Sequence, residues 1–79
     1  MTQVELKMPE LGNEITEAQV DLWHKDIGEP VSKGEDIVTI TTPKVSMELE
    51  APTNGTLTKI VVEEDEIAAV GSVLAIIDA

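Results

Sequence analysis

The stretch DIVTITTPKVSMELE, residues 36–50, decides the fold of this 79-residue chain. With Pro43 and Lys44 as the two central residues of a turn, Thr42 faces Val45, Thr41 faces Ser46, Ile40 faces Met47, Thr39 faces Glu48 and Val38 faces Leu49. Apolar meets apolar and polar meets polar at every rung except Thr42 with Val45, beside the tip. A slip of one residue sets Ile40 against Ser46 or Glu48 and turns an apolar row to water. The stretch therefore reads as a β-hairpin with one register. Pro43 holds φ at about −65°, which suits the first central position of a type I turn, excludes type I′ and predicts a stiff tip. Lys44 stands at the outermost point and is the only charged side chain from Ile37 to Met47. A lone exposed lysine is ordinarily a solvated charge; well-specified strands and symmetrical flanks point here to deliberate display.

The flanks are two copies of one pattern. Val20, Trp23, Asp26, Val31, Gly34, Ile37 and Ile40 recur 37 positions later as Leu57, Ile60, Glu63, Ala68, Gly71, Leu74 and Ile77. Each half reads as a strand, an acidic turn, a very short strand, a glycine turn and another strand, which predicts a pseudo-twofold architecture. Val4 to Met8 alternates as a half-buried strand that ends at Pro9. Ile15 to Trp23 reads as a long strand with Ala18, Val20 and Leu22 on one face, and it should bend, because Ile15 and Trp23 fall on the other. Val31 with Ser32, Ile67 with Ala68, Thr56 to Val62 and Val73 to Ile77 supply the rest. Gly28, Gly34, Gly55 and Gly71 are expected at turns of positive φ. No window combines helical periodicity with a cap. The expected fold is all-β: about eight short strands in a closed sandwich, forming a single domain over residues 1–79.

Composition narrows the function. Hydrophobic residues make up 42% of the chain, enough for a core, and without cysteine that core must hold the fold with no disulfide. Sixteen acidic residues against five lysines give a formal charge of −11, which repels phosphate backbones and anionic lipid, so neither nucleic acid nor membrane is an expected partner. No run approaches the roughly 18 apolar residues of a spanning helix. With a single histidine, His24, and no cysteine, neither a nucleophilic triad nor a metal cluster is supported. His24 reads as a surface residue, Trp23 as half-buried packing, and Glu63 to Glu66 as a solvated turn lacking the spaced ligands of a calcium loop.

Motifs spread over essentially the whole chain carry a resemblance. Met8-Pro9-Glu10-Leu11-Gly12, Ile15-Thr16-Glu17, Trp23, Gly28 to Val31 with Gly34, Thr42-Pro43-Lys44-Val45, Glu48 to Pro52, Gly55 and Gly71 stand in order around the central lysine. Together they resemble the lipoyl domains of the dihydrolipoamide acyltransferase components of 2-oxo acid dehydrogenase complexes. The resemblance implies a flattened barrel of two four-stranded antiparallel sheets related by a pseudo-twofold axis, and a non-catalytic carrier. It places lipoate in amide linkage on Lys44, within the hairpin context of Thr42, Pro43 and Val45. The implied partners are a lipoate ligase or lipoyl transferase, a thiamine diphosphate-dependent decarboxylase that acylates the dithiolane reductively, an acyltransferase domain that passes the acyl group to coenzyme A, and a dihydrolipoamide dehydrogenase. It also makes Gly12, Asn13 and Glu14, in the loop after the first strand, candidates for recognition by the decarboxylase. A free lysine amine is protonated at neutral pH and a poor nucleophile, so the ligase must activate it. Once attached, a tethered arm raises the local concentration of its reactive end.

One position departs from the family pattern, which usually has Asp immediately before the lysine; here it is Pro43. Two rivals share the fold: a biotinyl carrier domain of a carboxylase, which resembles Met-Lys-Met at its tip where this chain has Pro43 and Val45, and an unmodified interaction domain. The expected compartment is bacterial or archaeal cytoplasm, or the mitochondrial matrix if a transit peptide was removed.

Overall fold

A computed structural model describes residues 2–12 and 14–79. Eight strands follow in order: β1 (Gln3–Lys7), β2 (Glu17–Trp23), β3 (Pro30–Val31), β4 (Asp36–Thr41), β5 (Ser46–Glu50), β6 (Gly55–Ile60), β7 (Ile67–Ala69) and β8 (Val73–Asp78). They form two antiparallel four-stranded sheets, β1-β8-β6-β3 and β5-β4-β2-β7. Exchanging each strand for the one four places along the chain turns the first order into the second, so the pseudo-twofold read from the repeat is the symmetry of the fold. Among the described residues there is no helix.

The duplication extends to single hydrogen bonds. The Gly28 N–H donates to Leu57 O and the Asp65 N–H to Val20 O, both at 2.7 Å. In the acidic turns the Asp26 N–H meets Glu29 Oε1 at 2.7 Å and the Glu63 N–H meets Glu66 Oε1 at 2.8 Å. Here the acidic side chains act as caps, folding back on amides three residues earlier. Gly28 has φ 95° and its mate Asp65 has φ 71°, a left-handed position that the acidic run did not reveal.

Bulges are duplicated too. An extra residue interrupts β2 against β4 at Asp21 and β6 against β8 at Thr58. The bulge at Asp21 changes the expected face pattern. Ala18 and Val20 are buried, but Leu22 is turned outward at 48% exposure while Trp23 packs against the core. The long strand thus bends as expected, yet Leu22 leaves the row assigned to it, and the strand begins at Glu17 rather than Ile15. Likewise β6 stops at Ile60, because the Val61 and Val62 N–H groups both donate to Leu74 O instead of continuing the ladder.

Side chains from both sheets fill one core, with Val20, Ile37, Ile40, Leu57, Leu74 and Ile77 fully enclosed. Gly55 corrects another expectation: it has no positive φ. It starts β6, where a Cβ would lie 2.5 Å from Asp78 O and 2.8 Å from Ile77 Cγ2, so close approach of backbone requires the glycine.

The two poles of the molecule are twofold mates. At one, the Thr42 N–H donates to Val45 O at 2.7 Å; at the other, the Ala79 N–H donates to Thr2 O at 2.8 Å. Glu17 pairs with Ala69 and the Val70 N–H reaches Thr16 O, so β8 starts beside the hairpin pole and runs away from it. Residues 2 and 79 therefore meet at the pole opposite Lys44.

Candidate functional site

The hairpin has the register read from the sequence: Val38 with Leu49, Thr39 with Glu48, Ile40 with Met47 and Thr41 with Ser46. Pro43 and Lys44 are its central residues, and neither has positive φ. Thr42, the single buried polar residue among those described, locks the turn. Its hydroxyl donates to Val45 O at 3.0 Å, and accepts the Val45 N–H at 3.0 Å and the Lys44 N–H at 3.3 Å. The hydroxyl thus takes the amide that would close a plain turn on the Thr42 carbonyl. Strand parity contained this signal, since Thr42 lies two residues beyond Ile40 on the inward face.

Beyond the lock, the Lys44 side chain is 67% exposed, and its Nζ lies 3.3 Å from Glu14 Oε2. Glu14 is brought there by the loop between β1 and β2, which enters at the same pole: Met8 is bonded to Ser72 and Gly71, and the Ile15 N–H closes a turn on Gly12 O. Gly12 has φ 135°. Two of the recognition candidates, Gly12 and Glu14, therefore flank Lys44, while Asn13 lies outside the described residues. A shallow groove of about 500 Å³ between loop and hairpin is lined by Leu11, Gly12, Glu14, Ile15, Lys44 and Val45. The sequence did not indicate this groove or the Glu14 contact, because 30 residues separate the two partners.

The remaining candidates have structural employment. Trp23 is half-buried, with its indole N–H on Val62 O at 2.9 Å. His24 Nε2 meets Thr39 Oγ1 at 2.7 Å and Glu48 Oε2 at 3.8 Å. Both contacts fall on one ring nitrogen, unlike a triad, where carboxylate and hydroxyl occupy opposite nitrogens. Among the described residues no group of three acidic or histidine side chains could hold a metal. The site offers one displayed amine on a fixed turn. That amine fits an amide-linked acyl group, because its side chain is two-thirds exposed and its contact is a surface carboxylate.

Comparison with known proteins agrees with this geometry. The family model described as Biotin-requiring enzyme matches residues 4–77. The chain is 42% identical over 74 residues to the dihydrolipoyllysine-residue acetyltransferase component of the acetoin cleaving system of Bacillus subtilis, covering 94% of this chain and 19% of that protein. It spans only about a fifth of that relative's length. The solution structure of the lipoyl domain of the 2-oxoglutarate dehydrogenase complex from Azotobacter vinelandii superposes with a TM-score of 0.79 at 34% identity, covering 96% of each chain. Kluyveromyces lactis urea carboxylase gives a TM-score of 0.82 over 99% of this chain and 6% of the enzyme, at 18% identity, a likeness of fold alone. Shape does not separate these relatives, whereas sequence identity does. The chain belongs to the biotinyl/lipoyl attachment family and, within it, to the lipoyl domains, small carriers without a catalytic site of their own.

Proposed function

We propose that lipoate is attached in amide linkage to Lys44 and that the domain, residues 1–79, carries acyl groups and reducing equivalents between the active sites of a 2-oxo acid dehydrogenase complex. The observation that carries this reading is Lys44 itself, two-thirds exposed on a turn locked by Thr42, at the pole opposite residues 2 and 79. The attached dithiolane would supply the disulfide for acyl and electron transfer. The chain's own residues do the rest. Thr42 and Pro43 fix the root of the tether, so its sweep is set by the arm rather than by a fraying loop. An acidic body, with formal charge −11, favours partners with basic docking surfaces and keeps the carrier soluble. Those partners are a lipoate ligase or lipoyl transferase, a thiamine diphosphate-dependent decarboxylase, an acyltransferase catalytic domain and dihydrolipoamide dehydrogenase. The working compartment is bacterial or archaeal cytoplasm, or a mitochondrial matrix.

Intact mass after coexpression with a lipoate ligase tests the attachment. One lipoyl increment is expected on the wild type and on Lys33→Ala, and none on Lys44→Ala. An unmodified wild type would overturn the reading. An increment supplied by a biotin ligase instead would transfer the chain to the biotinyl carriers. Reductive acylation of the lipoylated domain by a panel of 2-oxo acid decarboxylases then identifies its complex.

A further inference from the structure

The contact between Glu14 and Lys44 is changed by the modification itself. While the lysine is free, its ammonium lies 3.3 Å from Glu14 Oε2, across the mouth of the groove lined by Leu11, Ile15 and Val45. Attachment forms a C–N bond between the activated lipoyl carboxyl and Nζ, breaks the acyl–phosphate bond of the ligase's adenylate, and releases AMP and two protons. The product amide is neutral. No other lysine is paired with Glu14 among the described residues. We propose, on the reading that Lys44 is lipoylated, that Glu14 is a charge switch driven by attachment. Its carboxylate is neutralised in the unmodified domain and stands unpaired at the rim of the groove in the modified one. The modified face then fits a partner that offers a cationic side chain beside an aliphatic one.

The groove supplies the aliphatic half of that fit. Leu11 and Ile15 line it from the loop, and Val45, 47% exposed, lines it from the hairpin. The partner's cation and Lys44 compete for one carboxylate, so removing the Lys44 charge strengthens binding. The pair is solvent-exposed, with side chains 67% and 82% accessible, which bounds the gain to about fivefold.

The test uses the whole chain in four forms: wild type and Glu14→Gln, each unmodified and enzymatically lipoylated. In unmodified wild type, the amide signals of Gly12, Ile15 and Thr16 should move as NaCl is raised from about 20 to about 500 mM, which screens the pair. That response should disappear on lipoylation, and be absent from both forms of Glu14→Gln. The tripeptide Leu-Arg-Leu, titrated as a probe, should bind lipoylated wild type up to about fivefold more tightly than unmodified wild type, with no gain on lipoylation of Glu14→Gln. An unchanged salt response after lipoylation, or equal probe affinity for the two wild-type forms, overturns the proposal while leaving the carrier reading intact. A wild type that accepts no lipoyl group overturns both, and intact mass reveals this before any spectrum is compared.

Discussion

Thr42→Val replaces the hydroxyl that locks the hairpin tip with a methyl of nearly the same volume, so the change isolates hydrogen bonding from packing. Three contacts are lost: the donation to Val45 O at 3.0 Å and the two accepted N–H groups of Val45 and Lys44, at 3.0 and 3.3 Å. A net hydrogen bond contributes about 1 kcal/mol, and the longest of the three contributes least. Val45 O is not orphaned, because it keeps the Thr42 N–H at 2.7 Å. The released amides belong to Lys44 and Val45, both exposed residues, so water rather than the buried methyl can meet them. The expected loss is therefore about 1–2 kcal/mol, well below the sum of three full bonds. Urea unfolding followed by the fluorescence of Trp23, the sole tryptophan, reads it directly. With a slope of about 1 kcal/mol/M for so small a domain, the midpoint should fall by about 1–2 M. Thr42→Ser keeps the oxygen and should retain most of the stability. A Thr42→Val midpoint within about 0.3 M of wild type, or a serine variant as weak as the valine one, would refute the assignment of the lock to this hydroxyl.

Gly55→Ala should cost about 2–3 kcal/mol in the same assay, because the new methyl meets the Asp78 carbonyl at 2.5 Å and backbone cannot move aside; a loss under about 0.5 kcal/mol would show that the strand ends yield. Asp65→Gly relieves a left-handed residue at φ 71° whose twofold mate is already glycine, and should raise stability by up to about 1 kcal/mol, less than the full strain because glycine also gains freedom in the unfolded chain; a loss of stability would contradict that account. The side-chain hydrogen bond from Lys25 lowers the pKa of Glu35 from 4.5, helped by the Ser32 amide. Since the folded-state value is the depressed one, this contribution is complete above pH 4.5 and is lost as pH falls through the folded value. The stability gap between wild type and Lys25→Met should accordingly stay constant from pH 7 to about 5 and close at lower pH; a gap independent of pH would remove the ion pair from the explanation.

The hairpin was legible in the sequence because its evidence is local. Five consecutive rungs constrain one register, and a proline marks the turn. The two sheets were legible because the 37-residue repeat carries the same order of strands, acidic turn and glycine turn twice. Face assignments failed where a bulge intervened: Leu22 obeys period two up to Asp21, and the extra residue then reverses inside and outside. Gly55 was misread because a glycine needed for close approach looks, in sequence, like one needed for positive φ. Glu14 was marked as a recognition candidate through family resemblance, but neither its place beside the lysine nor the ion pair was foreseen, since both depend on how a loop returns to a pole 30 residues ahead.

The symmetry also explains why one pole can carry chemistry without weakening the fold. Thr42 with Val45 and Ala79 with Thr2 make the same backbone bond at mated positions. At one pole two residues, Pro43 and Lys44, close the chain; at the other the chain is open, and any segment before residue 2 or after residue 79 leaves from there. The open pole shows that the sheets hold together there without a covalent turn. The closing residues are thus relieved of a folding role that β4 and β5, with Thr42 at their end, already fulfil. On the proposed reading, Lys44 can then be chosen for display, Pro43 can replace an acidic neighbour, and an attached arm would swing on the side away from residues 2 and 79. The price appears at Gly55. Its mate is Ala18, a buried residue with a methyl, whereas Gly55 is pressed against Asp78 and Ala79 at the open pole. The twofold is broken where the strand ends must crowd together, and kept where the hairpin presents its lysine.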